Sequence, residues 1–172
     1  MKNLQASFKR LDEILTTGMA RYGIWLLRLS LGLVFFWFGF LKFFPGLSPA
    51  QDLAARTIYQ LSFGSISPEA AVIILAVWEC LIGLGLIFRV FMRATLLLLF
   101  LQMLGTFAPL ILFPHEVFTH FPYAPTLEGQ YIIKNIVLIS AGLVLGSTVR
   151  GGAVVATPEV VQKSPPEKKV NV

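Results

Sequence analysis

Seven polar side chains lie inside stretches of sequence that are otherwise apolar. They comprise three cations, one carboxylate, two amides and one hydroxyl: Arg28, Lys42, Glu79, Gln102, Thr106, Lys134 and Asn135. A carboxylate among cations and amides could carry a proton, hold a quinone headgroup or bind a small polar ligand. It could equally be a polar lock that fixes the register of packed helices. The sequence leaves both interpretations open.

The apolar stretches that carry these residues number four, at 22–44, 70–88, 94–113 and 131–149. Each is long enough to cross a hydrocarbon core of about 30 Å at about 1.5 Å per helical residue. The composition agrees, with 56% apolar and 13% charged residues and a mean hydropathy of +0.75. We therefore predict an all-α membrane protein, a bundle of four transmembrane helices with short interfacial helices, surrounded by the lipid bilayer.

Depth in the membrane separates the ionisable residues. Glu79 follows Glu69 by ten residues, which places it about 15 Å deep and near the middle of the membrane. Arg28 lies about 9 Å from one edge and Lys134 about 7 Å from the other, so either could reach Glu79. Lys42 is close to the end of its span, and its long stem could carry the ammonium to the headgroups, which is a structural role. We expect Glu79 to be ionised and paired with Arg28 or Lys134, or protonated because burial disfavours its charge.

Polar and small residues fall on one stripe of each span. The stripes predict a shared interior, and the glycines allow close helix approach. Their members are Arg28, Gly32, Phe35, Gly39 and Lys42 in the first span, Ala76, Glu79 and Gly83 in the second, Gln102 and Thr106 in the third, and Asn135, Gly142 and Gly146 in the fourth.

The segments outside the spans also have patterns. Residues 1–21 carry Leu4, Phe8, Leu11 and Leu15 at helical spacing, which predicts an amphipathic segment on the membrane surface, with a solvated extension as the alternative. Residues 150–172 are rich in Pro, Lys and Glu and predict a disordered tail. Basic residues precede the first span, separate the second from the third and follow the fourth, which predicts cytoplasmic N and C termini. Because these charges bracket the spans, the net charge of +5 does not indicate a nucleic-acid partner.

Turn residues predict where the elements begin and end. Ser48, Pro49 and Gln51 have the pattern of a helix start, which predicts a short interfacial helix over 49–61. Ser67 with the following proline and glutamate repeats that pattern at the second span. Pro109 predicts a kink in the third span. Pro114, Pro122 and Pro125 predict an irregular loop before the fourth.

Several chemistries find no support in the sequence. Cys80 is the only cysteine, so a dithiol relay within the chain is excluded. His115 and His120 share one loop with Glu116, which does not match the spacing of a zinc hydrolase and would allow only a weak surface metal site. We therefore predict no metal site and no covalently bound cofactor.

Residues of the first two spans resemble a known family. Arg28, Phe38, Gly39, Lys42 and Phe43, followed by Glu79 and Gly83, are similar to the DoxX-like family of small four-helix bacterial inner-membrane proteins. The segment 126–135, TLEGQYIIKN, resembles the last span of a branch that includes a reactive-chlorine resistance membrane protein. The resemblance covers about 23–149 and implies a multi-pass protein of the bacterial inner membrane.

The resemblance implies an accessory or quinone-interacting component of a membrane redox or oxidative-stress system. In that hypothesis Glu79 and Lys134 hold a quinone headgroup, while Trp78, Thr106 and Phe35 line its site. The chain would be at most a subunit of a quinone-linked oxidoreductase, with a partner subunit or a second copy of itself. The alternatives are a small-solute or proton transport protein with a buried charged centre, and a membrane scaffold.

Overall fold

The computed structural model describes residues 2–48 and 50–152, and helices dominate this part of the chain. The order along the sequence is α1 (Lys2–Leu41), α2 (Gln51–Leu61), α3 (Pro68–Phe88), α4 (Met92–Phe107), α5 (Pro109–Leu112), α6 (Pro114–Val117), β1 (Phe118–His120), β2 (Ala124–Pro125) and α7 (Leu127–Thr148).

Among the described residues, four segments are long and apolar enough to cross a membrane, namely Phe8–Leu41, Pro68–Phe88, Met92–Leu112 and Leu127–Thr148. They pack in a closed ring, because α1 contacts α3, α3 contacts α4, α4 contacts α7, and α7 returns to α1. The most extensive of these contacts joins α1 to α3. The prediction of an all-α, four-helix membrane bundle is confirmed.

Helix starts follow the sequence signals in some places and depart from them in others. Ser67 caps α3, because its hydroxyl accepts a hydrogen bond of 3.3 Å from the amide of Ala70, as predicted. The predicted start of α2 is wrong, because Ala50 and not Ser48 occupies its N-cap position. That helix begins after Ala50, which has a positive φ of 55° and gives no side-chain cap, and Pro49 lies outside the described residues.

Pro109 breaks the third span as expected. The helix is interrupted at Ala108, between α4 and α5. Proline lacks the amide that would continue the hydrogen-bond ladder.

The N-terminal segment and the first span form one helix, since α1 runs from Lys2 to Leu41 without a break. Phe8, Leu11 and Leu15 are exposed along it. The position of residues 1–21 against a membrane surface stays a prediction. Most of the predicted tail, residues 153–172, lies outside the described residues.

Two apolar cores stabilise the bundle. The main core is formed by all four spans, and its buried residues are Leu31, Phe35, Ile82, Leu86, Leu96, Leu99, Met103, Ala141 and Leu145. A smaller core joins Leu53, Val117 and Ile132, with Phe107, Leu110, Phe113 and Phe118 packed against it. This second core holds a cap, made of residues 51–61 and 114–125, on one end of the bundle.

The predicted irregular loop contains a short antiparallel ribbon that the sequence analysis did not anticipate. β1 pairs with β2, with Phe118 opposite Pro125 and His120 opposite Ala124. The amide of Thr126 then bonds to the carbonyl of Val117 at 2.8 Å, and the hydroxyl of Thr126 caps α7 by accepting from Gly129 at 3.2 Å. The ribbon thus sets the starting point of the fourth span.

Candidate functional site

Lys42, Glu79 and Gln102 come together on the cap side of the main core. The ammonium of Lys42 lies 2.6 Å from Glu79 Oε2, and the amide nitrogen of Gln102 donates to Glu79 Oε1 at 2.7 Å. Lys42 also donates to the carbonyl of Phe38 at 3.3 Å. Glu79 and Gln102 are 8% and 7% exposed, so water does not replace these bonds. We call these three residues the polar centre.

The close approach of α1 and α3 creates this pairing. A Cβ built on Gly39 would lie 2.7 Å from the Cβ of Glu79, and one built on Gly83 would lie 2.5 Å from the amide nitrogen of Phe36. Both distances are too short for real atoms, so only glycine fits at these crossings. Because Gly39 sits directly against Glu79, Lys42 on the next turn reaches the same carboxylate.

Lys42 is in position because α1 ends just before it. The helix stops at Leu41, and the amide of Lys42 bonds to the carbonyl of Gly39 at 3.1 Å in a tight final turn. The stem of Lys42 folds back over that turn towards α3, which buries its ammonium within the bundle. Long basic side chains commonly adjust their reach in this way.

The predicted partners of Glu79 are wrong. Arg28 donates instead to the carbonyls of Leu86 and Ile87, the latter at 2.8 Å, in the last turn of α3. A guanidinium is favourable there because the last carbonyls of a helix are unpaired and carry partial negative charge. Lys134 is exposed on the outside of the bundle, with its ammonium 5.4 Å from the centre of the Tyr131 ring.

The other predicted site residues are dispersed. Phe35 is part of the main core, Thr106 donates to the carbonyl of Met103 at 2.8 Å, and Asn135 is half-buried on α7. Trp78 lies on the outer side of α3, where its indole donates to the carbonyl of Leu98 at 3.1 Å. Of the nine residues proposed from the sequence, the structure therefore brings three into direct contact.

Trp78 lines an open, apolar groove between α3 and α4. The groove has a volume of about 290 Å³, and its lining is Ile73, Ile74, Val77, Trp78, Leu81 and Leu98. Trp78 precedes Glu79 in the chain, and Leu98 precedes Gln102 by one helical turn. We call it the Trp78 groove; it lies on the same two helices as Glu79 and Gln102, although neither of these residues is part of its lining.

One acceptor of the polar centre is unused. Gln102 Oε1 is buried and has no hydrogen-bond partner within the described part of the chain. The assignment of the two amide atoms is fixed here, because the nitrogen is needed to donate to the carboxylate. A buried acceptor without a partner costs about 1–3 kcal/mol, so this position would favour a ligand or water that carries a donor.

The cap has its own ion pair, which the sequence analysis missed. Arg56 donates to both carboxylate oxygens of Glu116, at 2.8 and 2.5 Å. The hydrogen bonds from Arg56 lower the pKa of Glu116 from its usual range, and the same bonds raise the pKa of Arg56. The two residues are 60 positions apart, and no local pattern connects them.

The histidines of the cap do not gather around a metal position. His120 stacks on Tyr123 with ring centres 6.1 Å apart, and the nearby carboxylate of Glu116 is held by Arg56. In residues 2–48 and 50–152, no three His, Cys, Asp or Glu side chains are grouped as metal ligands would be.

Four apolar spans in a ring, closed at one end by a cap, define a multi-pass helical membrane protein. The sequence matches the DoxX family over residues 23–120, which is more than half of the chain. The chain belongs to the DoxX family, as its first two spans suggested. Searches of curated proteins and of solved structures gave no match. The assignment to the branch of the reactive-chlorine resistance protein stays a prediction.

Proposed function

We propose that this DoxX protein is an accessory, quinone-interacting component of a membrane redox or oxidative-stress system. The observation that supports the proposal is that α3 and α4 carry both a buried polar pair, Glu79 and Gln102, and an open apolar groove. An apolar groove on the outside of the bundle suits the ring and tail of a quinone, and the polar centre between the same helices would offer donors and acceptors for its oxygens.

The chemistry of the three side chains fits both redox states of a quinone. The carbonyl oxygens of the oxidised form accept hydrogen bonds, which the Lys42 ammonium and the Gln102 amide can donate. The hydroxyl groups of the quinol donate hydrogen bonds, and the unused oxygen of Gln102 can accept one. Because both sets of groups belong to one cluster, the same site can hold either form.

The proposal requires a partner, since Cys80 is the only cysteine of the chain and cannot complete a dithiol cycle alone. We propose that a second oxidoreductase subunit supplies the electrons. We also propose that the protein lies in the bacterial inner membrane with both termini in the cytoplasm, a topology supported by the distribution of lysine and arginine. Reporter fusions at either terminus and at the cap test that topology.

Labelling with a photoreactive quinone tests the site. The purified protein in liposomes is irradiated with an azidoquinone, and labelled peptides are mapped. We expect labelling of α3 and α4, and a severalfold loss in Leu81→Trp, which fills the groove. Leu143→Trp is the matched control, because Leu143 is also exposed but lies on α7. Equal labelling of all four spans, or equal labelling of the two variants, would refute the proposal.

A second candidate is transport or binding of a proton or small solute. The unused oxygen of Gln102 supports it, because a water held there would link the carboxylate of Glu79 to further donors. Proteoliposomes that contain this chain alone distinguish the two functions. Transport predicts solute or proton flux without any partner, and the redox function predicts none.

A further inference from the structure

The connection between α3 and α4 is a tight, locked turn at the end of the bundle opposite the cap. Its residues Arg89 and Phe91 both have positive φ, 57° and 46°. The hydroxyl of Thr95 donates to the carbonyls of Val90 and Phe91 at 3.1 and 3.3 Å. The amide of Val90 bonds to the carbonyl of Gly85 at 3.0 Å. The side chains on this turn are therefore presented by a fixed backbone.

Arginine side chains lie on the turn and beside it: Arg89 is one of its residues, and Arg93 is in the first turn of α4. Arg28 binds the carbonyls of Leu86 and Ile87 just before it and lies close enough to Arg89 for the two charges to repel.

In the described part of the chain, none of these arginines forms an ion pair with an acidic side chain. Among residues 2–48 and 50–152, the two ion pairs involve only Lys42 with Glu79 and Arg56 with Glu116. The nearest acid along α1 is Glu13, about 22 Å along the helix from Arg28. An unbalanced group of three arginines, Arg28, Arg89 and Arg93, would be expected to attract an anion.

The turn also exposes large apolar side chains. Phe88 and Phe91 are 69% and 84% exposed. A bulky residue at positive φ is strained, because its Cβ crowds the following carbonyl, and such strain is commonly retained at functional positions. The turn therefore combines fixed cations with apolar groups at the end of two membrane spans.

We propose that the α3–α4 turn is a binding site for an anionic phospholipid, with Arg89 and Arg93 on its phosphate and Phe88 and Phe91 among its acyl chains. A lipid headgroup lies at this level of the membrane, because the spans end here. Guanidinium groups bind phosphate oxygens in pairs through a planar fork, and the basic residues of the segment 88–93 are both arginines.

A fluorescence titration tests the site. The purified protein in detergent is titrated with dansyl-labelled phosphatidylglycerol and with dansyl-labelled phosphatidylcholine. We expect tighter binding of the anionic lipid, weakened by salt. Arg89→Gln with Arg93→Gln should reduce that affinity at least about tenfold, given the contribution of each arginine near an anionic surface. The control, Lys9→Gln with Arg10→Gln, removes the same amount of charge from α1, away from the turn, and should have little effect on the affinity for the anionic lipid.

Two further variants keep the test decisive. Arg93→Gln alone changes an exposed side chain and should still lower the affinity severalfold if the double variant does not fold. Phe91→Gly relieves the positive φ and should weaken lipid binding without lowering the unfolding temperature.

Equal affinity for the two lipids, or unchanged affinity in the arginine variants, would overturn the proposal. Complete competition by inorganic phosphate at matched concentration would assign the turn to a soluble phosphate ligand instead, and would overturn it as well.

Discussion

Replacing Glu79 by leucine should destabilise the bundle because it removes the carboxylate that pairs with the buried ammonium of Lys42. In the described part of the chain, Lys42 would keep only the carbonyl of Phe38, at 3.3 Å, and Gln102 would lose the acceptor of its amide. Removing one partner of a buried ion pair costs about 3–5 kcal/mol. The Lys42 stem can lift its ammonium towards the membrane surface, so we expect the lower end, about 3 kcal/mol.

The double variant Lys42→Met, Glu79→Leu should recover most of this loss. Replacing both members of a buried pair by apolar groups is often neutral, so the two changes together should leave the free energy of unfolding within about 1 kcal/mol of wild type. Unfolding by sodium dodecyl sulfate in mixed micelles measures all four corners of the double-mutant cycle. The expected coupling energy is about 2 kcal/mol or more.

Lys134→Met serves as the control, since Lys134 is exposed and does not contact the polar centre. It should change the free energy of unfolding by less than about 1 kcal/mol. Additive effects of the Lys42 and Glu79 substitutions, with a coupling below about 0.5 kcal/mol, would refute the ion pair as a stabilising contact.

Glu79→Gln keeps an acceptor for Lys42 and should insert normally while impairing quinone labelling.

Three further perturbations address the helix crossing and the cap. Gly39→Ala forces α1 away from α3 and should lower the free energy of unfolding by about 1–3 kcal/mol in the same micelle titration, whereas Gly105→Ala, which meets nothing within 4 Å, should not destabilise. The lowered pKa of Glu116 means that its bond to Arg56 stabilises the cap above the ordinary carboxyl pKa and that this stability is lost as pH falls below it. Hydrogen exchange of the cap should therefore accelerate in acid, and Glu116→Gln should remove that dependence. Thr126→Ala should cost about 1 kcal/mol by uncapping the fourth span, seen as faster exchange at its start; unchanged exchange would exclude a capping role.

The fold was predictable because span length and hydropathy depend only on local sequence. The pairing of the polar residues was not, because it depends on how two spans cross. Counting residues placed Arg28 and Lys134 within reach of Glu79. Helical rise, however, gives the depth of a residue in the membrane and not the neighbouring helix that its side chain faces. The stripe that contains Gly39 and Lys42 indicated which face of the first span packs against Glu79. Because Gly39 packs directly against Glu79, Lys42 on the next turn of α1 reaches the Glu79 carboxylate.

At Ser48, by contrast, a clear local pattern predicted the wrong start for a helix. Serine, proline and glutamine have the right spacing for a helix start, yet α2 begins after Ala50. Ser48 is buried, so tertiary packing decides its surroundings. The bond between Arg56 and Glu116 had no local signal at all, since the fold alone brings α2 against α6.

The crossing of α1 and α3 bears on how the chain is made. Lys42 and Glu79 are 37 residues apart, and a ribosome adds that stretch in about 2–7 s at its usual rate. Both members of the pair have been added to the chain before the synthesis of α4 or α7 begins. The first two spans can therefore join as a hairpin during translation, with their opposite charges already neutralised when the less apolar fourth span arrives to complete the ring.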